Sequence, residues 1–172
     1  IPATEEKEGK KIYTAIFGNP AFERMTAETV IPKLPASKPP QGTYSDPEGT
    51  GVYLIDAAGK ATFRKPPANK SVVVIPASIT VNQTTVPVTA ISDKAFYRNK
   101  KLKTVTIGKN IKTIGENAFS GCTGLTAVKG GEKVQLIRDG AFTGCTKLKT
   151  VPAFPKLTNV GVSAFKGCKS LI

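Results

Sequence analysis

The stretch Ile114-Gly115-Glu116-Asn117-Ala118-Phe119-Ser120-Gly121-Cys122-Thr123-Gly124-Leu125-Thr126-Ala127-Val128 decides the fold, because it recurs. Ala95-Phe96, Ala118-Phe119, Ala141-Phe142 and Ala164-Phe165 stand 23 residues apart. Other columns keep the same step: Val88, Ile111, Val134 and Leu157; Ile91, Ile114, Ile137 and Val160; Leu102, Leu125, Leu148 and Leu171; Asn99, Cys122, Cys145 and Cys168. A fixed period of this length is the signature of stacked units.

Each unit offers about seven inward apolar positions, worth roughly 1.5–3 kcal/mol apiece when buried. Ordering the unit costs on the order of 1–2 kcal/mol per residue in backbone entropy. One unit alone is at best break-even, so neighbours must share a buried face, with strands about 4.8 Å apart. Leu102-x-x-Val105-x-Ile107 predicts a short strand with Val105 and Ile107 inward and Thr104 and Thr106 outward. The Ala-Phe segment, led by Asp93 or Glu116-Asn117, reads as a short helical or 3₁₀ element on the opposite side. Phe96, Phe119, Phe142, Phe165, Leu102, Leu125, Leu148 and the three cysteines form the expected core.

The pattern Ile-Gly-x-x-Ala-Phe-x-Gly-Cys-x-x-Leu-x-x-Val resembles the BspA-like (Treponema-type) leucine-rich repeat, over residues 88–172 as three full units and one partial unit. Val72–Ile75, Ser78–Val81 and Val86–Ile91 resemble the extended lead-in of that family. The expected class is therefore mainly β: a short leucine-rich-repeat solenoid (right-handed superhelix, 23-residue repeats) with an N-terminal β-hairpin cap. The resemblance further implies export, display on a bacterial surface and, for several members, adhesion to host proteins. Departures are visible. The first unit has Arg98-Asn99 in place of Gly-Cys. Gly130 and Ala153 replace the inward Ile107, so the core thins there. Ser92 and Arg138 stand where Gly is preferred, which suggests a position that does not demand positive φ. The chain stops part way through a repeat, which leaves three options: an open edge, a fragment, or an edge covered by another segment.

Upstream, three segments are expected: residues 1–50 as a partly irregular extension with a Pro-rich linker, 51–87 as a β cap, and 88–172 as the repeats. Val52–Ile55 and Ala61–Arg64 flank a Gly-ended loop and read as a hairpin. Residues 30–50 hold five prolines and have linker composition. Lys11–Phe17 reads as a strand, and Asn19-Pro20 as the start of a helix running to about Thr29. Residues 1–10 read as disordered. Phe22 falls out of register with the repeat.

Composition bounds the function. The chain has 172 residues, enough for one domain with or without an extension. No apolar run approaches the ~18 residues of a membrane span. Any export signal is expected to have been removed before residue 1. Without histidine, every Ser-His, Cys-His and His-metal mechanism is excluded. Residues 88–172 carry 15 basic and 4 acidic side chains, so the repeats hold +11 of the net +13. Such an excess favours polyanionic partners, although lysine also keeps a flat β surface soluble and blocks edge pairing. The cysteine column reads as free core thiols, since parallel Cβ vectors suit neither a disulfide nor tetrahedral zinc. Asp93, Glu116 and Asp139 read as turn caps rather than paired catalytic carboxylates.

The expected binding surface is the strand face, with Thr104, Thr106 and Lys129. Phe154 is either an exposed anchor on that face or tucked beside Gly130 and Ala153. A second stripe comprises Arg98, Lys100, Lys101 and Lys103, continuing to Lys147 and Lys149, with Lys166 and Lys169 beyond. It has no interleaved aromatics, so nucleic acid is disfavoured. The reading is a secreted or cell-surface module, not an enzyme and without a cofactor, that binds a protein or an anionic polysaccharide. The alternative is a structural spacer in a larger surface protein.

Overall fold

The computed structural model describes residues 9–15, 25–31 and 41–172. The chain divides into two compact units, Ile1–Lys38 and Pro39–Ile172. In the first, β1 (Gly9–Ala15) pairs antiparallel with β2 (Met25–Ile31), Gly9 opposite Ile31 and Ala15 opposite Met25. The helix expected to run to Thr29 is thus corrected over residues 25–29, which are strand. Thr26, Thr29, Val30 and Ile31 are β-branched and favour the pleated conformation. Gly9 and Lys10, expected to be disordered, also belong to β1. The expected helix start at Asn19-Pro20, and Phe22, lie outside the described residues.

The second unit opens with an antiparallel meander of β3 (Gly42–Ser45), β4 (Val52–Ile55) and β5 (Ala61–Lys65). The hairpin is where the sequence puts it, but β3 is a strand inside the stretch that has linker composition. Next come β6 (Val72–Val74) and a hairpin of β7 (Ser78–Val81) with β8 (Thr84–Ile91). Asn82 and Gln83 turn that hairpin at φ 48° and 65°, the doubly left-handed turn that matches strand twist.

From here the chain coils between two parallel sheets. One contains β6, β9 (Thr104–Ile107) and β11 (Ala127–Gly130), with Val105 opposite both Val73 and Val128. In the third coil it shrinks to a single bridge between Ala127 and Thr150, since Pro152 has no N–H to give a ladder. The other sheet contains β8, β10 (Thr113–Ile114), β12 (Leu136–Ile137) and β13 (Asn159–Val160), and β5 extends it on the β8 side. The result is a mainly β repeat solenoid. The two-residue strands of the second sheet carry too little pattern to be read from sequence.

The Ala-Phe segments are single turns, not the helical or 3₁₀ elements expected. The N–H groups of Lys94, Phe96 and Arg98 donate to the carbonyls of Glu116, Ala118 and Ser120 on the next coil, at 2.9, 2.7 and 2.8 Å. Those of Asn117, Phe119 and Gly121, and of Gly140, Phe142 and Gly144, repeat the arrangement one and two coils on. Only the intervening donors, such as Ala118 to Gly115 and Ser120 to Asn117, bond locally. With every second donor committed to a neighbouring coil, no continuous helix can form. Arg98 sits at φ 56° in the column where the later coils have glycine at φ 71–76°. Gly115 and Gly161, in the column of Ser92 and Arg138, are not left-handed, in keeping with the reading above.

The core is a ladder of rings. Phe63, Phe96, Phe119, Phe142 and Phe165 stack at centroid separations of 5.2, 4.7, 5.0 and 5.1 Å with near-parallel planes. Phe63 belongs to the cap and supplies a rung before the first repeat. Tyr53 meets it edge-on at 5.5 Å and 79°. Leu102, Leu125 and Leu148 are fully buried beside the rings. Phe165 and Cys168, in the last coil, are half-buried.

Candidate functional site

The stacking period aligns the lysines. Lys101, Gly124 and Lys147 occupy one column and Lys103, Thr126 and Lys149 the next, so like-placed lysines lie two strand spacings, about 10 Å, apart. Lys100, Lys101, Lys103 and Lys147 line a cleft of about 580 Å³ with Asn69, Ser71, Gly124 and Thr126, and no acidic side chain lines it. Gly124 forms its floor. A Cβ there would lie 2.3 Å from the Lys100 carbonyl oxygen, so close coil approach excludes any side chain and keeps the space between the lysines open. Lys101 Nζ donates to Asn69 Oδ1 at 2.7 Å, tying the cap loop to the lysine row. Arg98 and Lys149 are exposed but do not line the cleft. Asn69 and Ser71 escape a sequence reading because they precede the repeats. The Lys-Gly-Lys column was the signal for the floor.

The strand face lies on the other predicted patch. Lys129 is exposed and sits beside Thr106, while Thr104 and Thr106 are half-buried. The same face carries Val72 and Val74, 57 % and 56 % exposed, on β6 beside those threonines. Phe154 is not an exposed anchor: it is 4 % exposed and packs toward Gly131 and Val134. Ala153, expected to stand inward, is exposed instead, and the chain turns at Phe154 (φ 45°) so that its ring, not Ala153, is buried beside Gly131.

The cysteines are free, and their sulfurs donate to the carbonyls of Phe96, Phe119 and Phe142 at 3.0, 3.1 and 3.2 Å. Burial pushes the Cys122 thiol up to about 12, partly offset by the Asn99 backbone N–H. Burial also raises Cys145, helped by the sulfurs on either side, and raises Cys168. The unfolded chain releases these protons from about pH 8.5, whereas the folded chain holds them. The unfolding free energy therefore falls as pH rises from about 8.5 toward 12. Urea titrations at pH 7 and 10 should show that fall, reduced in Cys122→Ala/Cys145→Ala; an equal fall in both proteins would mean the thiols do not ionise on unfolding.

Asp93 and Asp139 cap turns as expected, but on the next coil: Asp93 Oδ1 accepts from Glu116 N at 2.7 Å and Asp139 Oδ1 from Val162 N at 2.8 Å, whereas Glu116 Oε1 accepts from the Asn117 side-chain amide at 3.0 Å. Among the described residues, no three Cys, Asp or Glu side chains gather as metal ligands, and no helix is long and apolar enough to cross a membrane.

Residues 76–172 match the profile of the BspA type leucine rich repeat region, in six copies. The chain belongs to that family. Among solved structures, this BspA-type chain is similar to a leucine-rich repeat protein from Bacteroides capillosus, at 31 % identity and a TM-score of 0.62, over 70 % of this chain and 88 % of that one. It is also similar to a leucine rich cell surface protein from Faecalibacterium prausnitzii, at 30 % identity and a TM-score of 0.68, over 78 % of this chain and 36 % of that one. The leucine-rich repeat protein of T. pallidum, 22 % identical with a TM-score of 0.60 over 74 % of this chain and 69 % of that one, shares the fold. No curated protein matches the sequence.

Proposed function

We propose that this BspA-type module is a non-catalytic, extracellular or cell-surface binding domain that holds an anionic polysaccharide on its solenoid surface. The observation that carries the reading is the cleft of Lys100, Lys101, Lys103 and Lys147, floored by Gly124 and free of lining carboxylates. Two lysine columns a fixed distance apart can track a charged chain, and release of its counterions supplies affinity that falls with salt. The cell-surface description of the F. prausnitzii protein supports the location.

On a heparin-type column the protein should be retained above roughly 0.3 M salt. Lys101→Glu/Lys147→Glu should bind sulfated oligosaccharide about tenfold more weakly or worse at physiological salt, with an unchanged melting temperature. Elution of the unmodified protein below physiological salt would sink the reading. The exposed Val72 and Val74 beside Thr104, Thr106 and Lys129 favour a second reading, a protein partner on the strand face. Val72→Ser/Val74→Ser should leave heparin retention unchanged.

A further inference from the structure

We infer that the junction of cap and first repeat is a second subsite of the same track, and that the ligand is an extended chain of acidic sugars running through both. This rests on the lysine cleft being an anion site. A cleft of about 700 Å³ is bounded by the end of β5, the loop that follows it and the first Ala-Phe turn. Arg64, Lys65 and Lys94 line it, and no acidic residue does. One wall is Pro66-Pro67, whose fixed φ angles hold it open before a ligand arrives. Tyr97, 44 % exposed, contributes a ring, with the Arg98 guanidinium carbon 5.1 Å from its centre. The C–H face of a sugar is apolar and can rest on such a ring, while its acidic substituent meets the cations.

Asn69 lines this cleft and the lysine cleft alike, and its side chain is held by Lys101 Nζ. It stands at φ 61°, the bend at which the proline-walled loop turns toward β6. The two cationic clefts therefore meet at one residue. Each has the size of a small-ligand site. A compact anion fills one and gains nothing from the other. A linear polyanion occupies both, and the second contact becomes intramolecular. An acidic peptide could satisfy the cations but brings no ring face of this kind to Tyr97.

Titration calorimetry of the full chain with size-defined sulfated oligosaccharides tests this. Affinity should rise by at least about tenfold once the chain is long enough to reach both clefts. Arg64→Ala/Lys65→Ala, at exposed positions, should keep the short-chain affinity and lose the rise. Lys101→Ala/Lys147→Ala should weaken short-chain binding to what the junction cleft alone supplies and should also lose the rise. A rise that persists in Arg64→Ala/Lys65→Ala overturns the second subsite and leaves the lysine cleft standing. No binding at any length overturns the reading beneath it. Polyglutamate with the same length dependence, and the same sensitivity to Arg64→Ala/Lys65→Ala, overturns the assignment to sugars.

Discussion

Phe119→Ala lowers the unfolding free energy by about 3–5 kcal/mol, the cost of deleting a large buried ring, and changes how the chain unfolds. Phe119 is fully buried between Phe96 at 4.7 Å and Phe142 at 5.0 Å, so both stacking contacts go with the ring. In a stacked array each coil is supported mainly by its neighbours. A gap at the second of four repeat rungs therefore weakens the coupling between the cap-side coils and the later ones. Urea unfolding should show the loss of stability together with a shallower or split transition. Phe165→Ala, at a half-buried ring with one stacked neighbour, should cost less than about 2 kcal/mol. Equal costs at the two positions would mean that the ladder is not what couples the coils.

Gly130→Ala has the second largest effect, about 2–5 kcal/mol. Gly130 stands at φ 73°, and a Cβ there would lie 2.2 Å from the Ile107 carbonyl oxygen. The left-handed conformation costs a non-glycine residue about 1–2 kcal/mol. Forcing backbone apart adds roughly 1–3 kcal/mol. The melting temperature should fall by roughly 5–15 °C at the usual 2–4 °C per kcal/mol for a chain of this size. Ala153→Gly, in the same column but exposed, should change stability by less than about 1 kcal/mol. A melting temperature unmoved by Gly130→Ala would mean that the two coils are not in close contact there.

The repeats were legible because each column does one job in every coil. The phenylalanines stack, the leucines fill beside them, and the thiols are free and bonded to carbonyls one coil back. What broke the period was not legible. Phe63 precedes Phe96 by 33 residues because β6 and the β7–β8 hairpin intervene, so its place as a rung shows only in space. Phe154 stands in the column of Gly108 and Gly131, which carry no side chain, so its burial against Gly131 could not be read from the pattern. The Ala-Phe turns carry helix-capping residues, but their donors go to the next coil, an interaction a single-coil reading cannot contain. Met25–Thr29 shows β-branching overriding a proline start signal upstream. The lysine cleft followed from the register of Lys101 and Lys147. The junction cleft did not, since the segments around Arg64, Pro66 and Tyr97 are assembled by the cap and share no period.

Tyr53 gives the ladder a direction. Its edge-on ring terminates the parallel stack against Phe63. A duplicated unit inserted between two repeat rungs would meet a parallel ring on each side, and one inserted between Tyr53 and Phe63 would not. Copy number can thus drift within the stacked rungs while the plug at Tyr53 stays fixed.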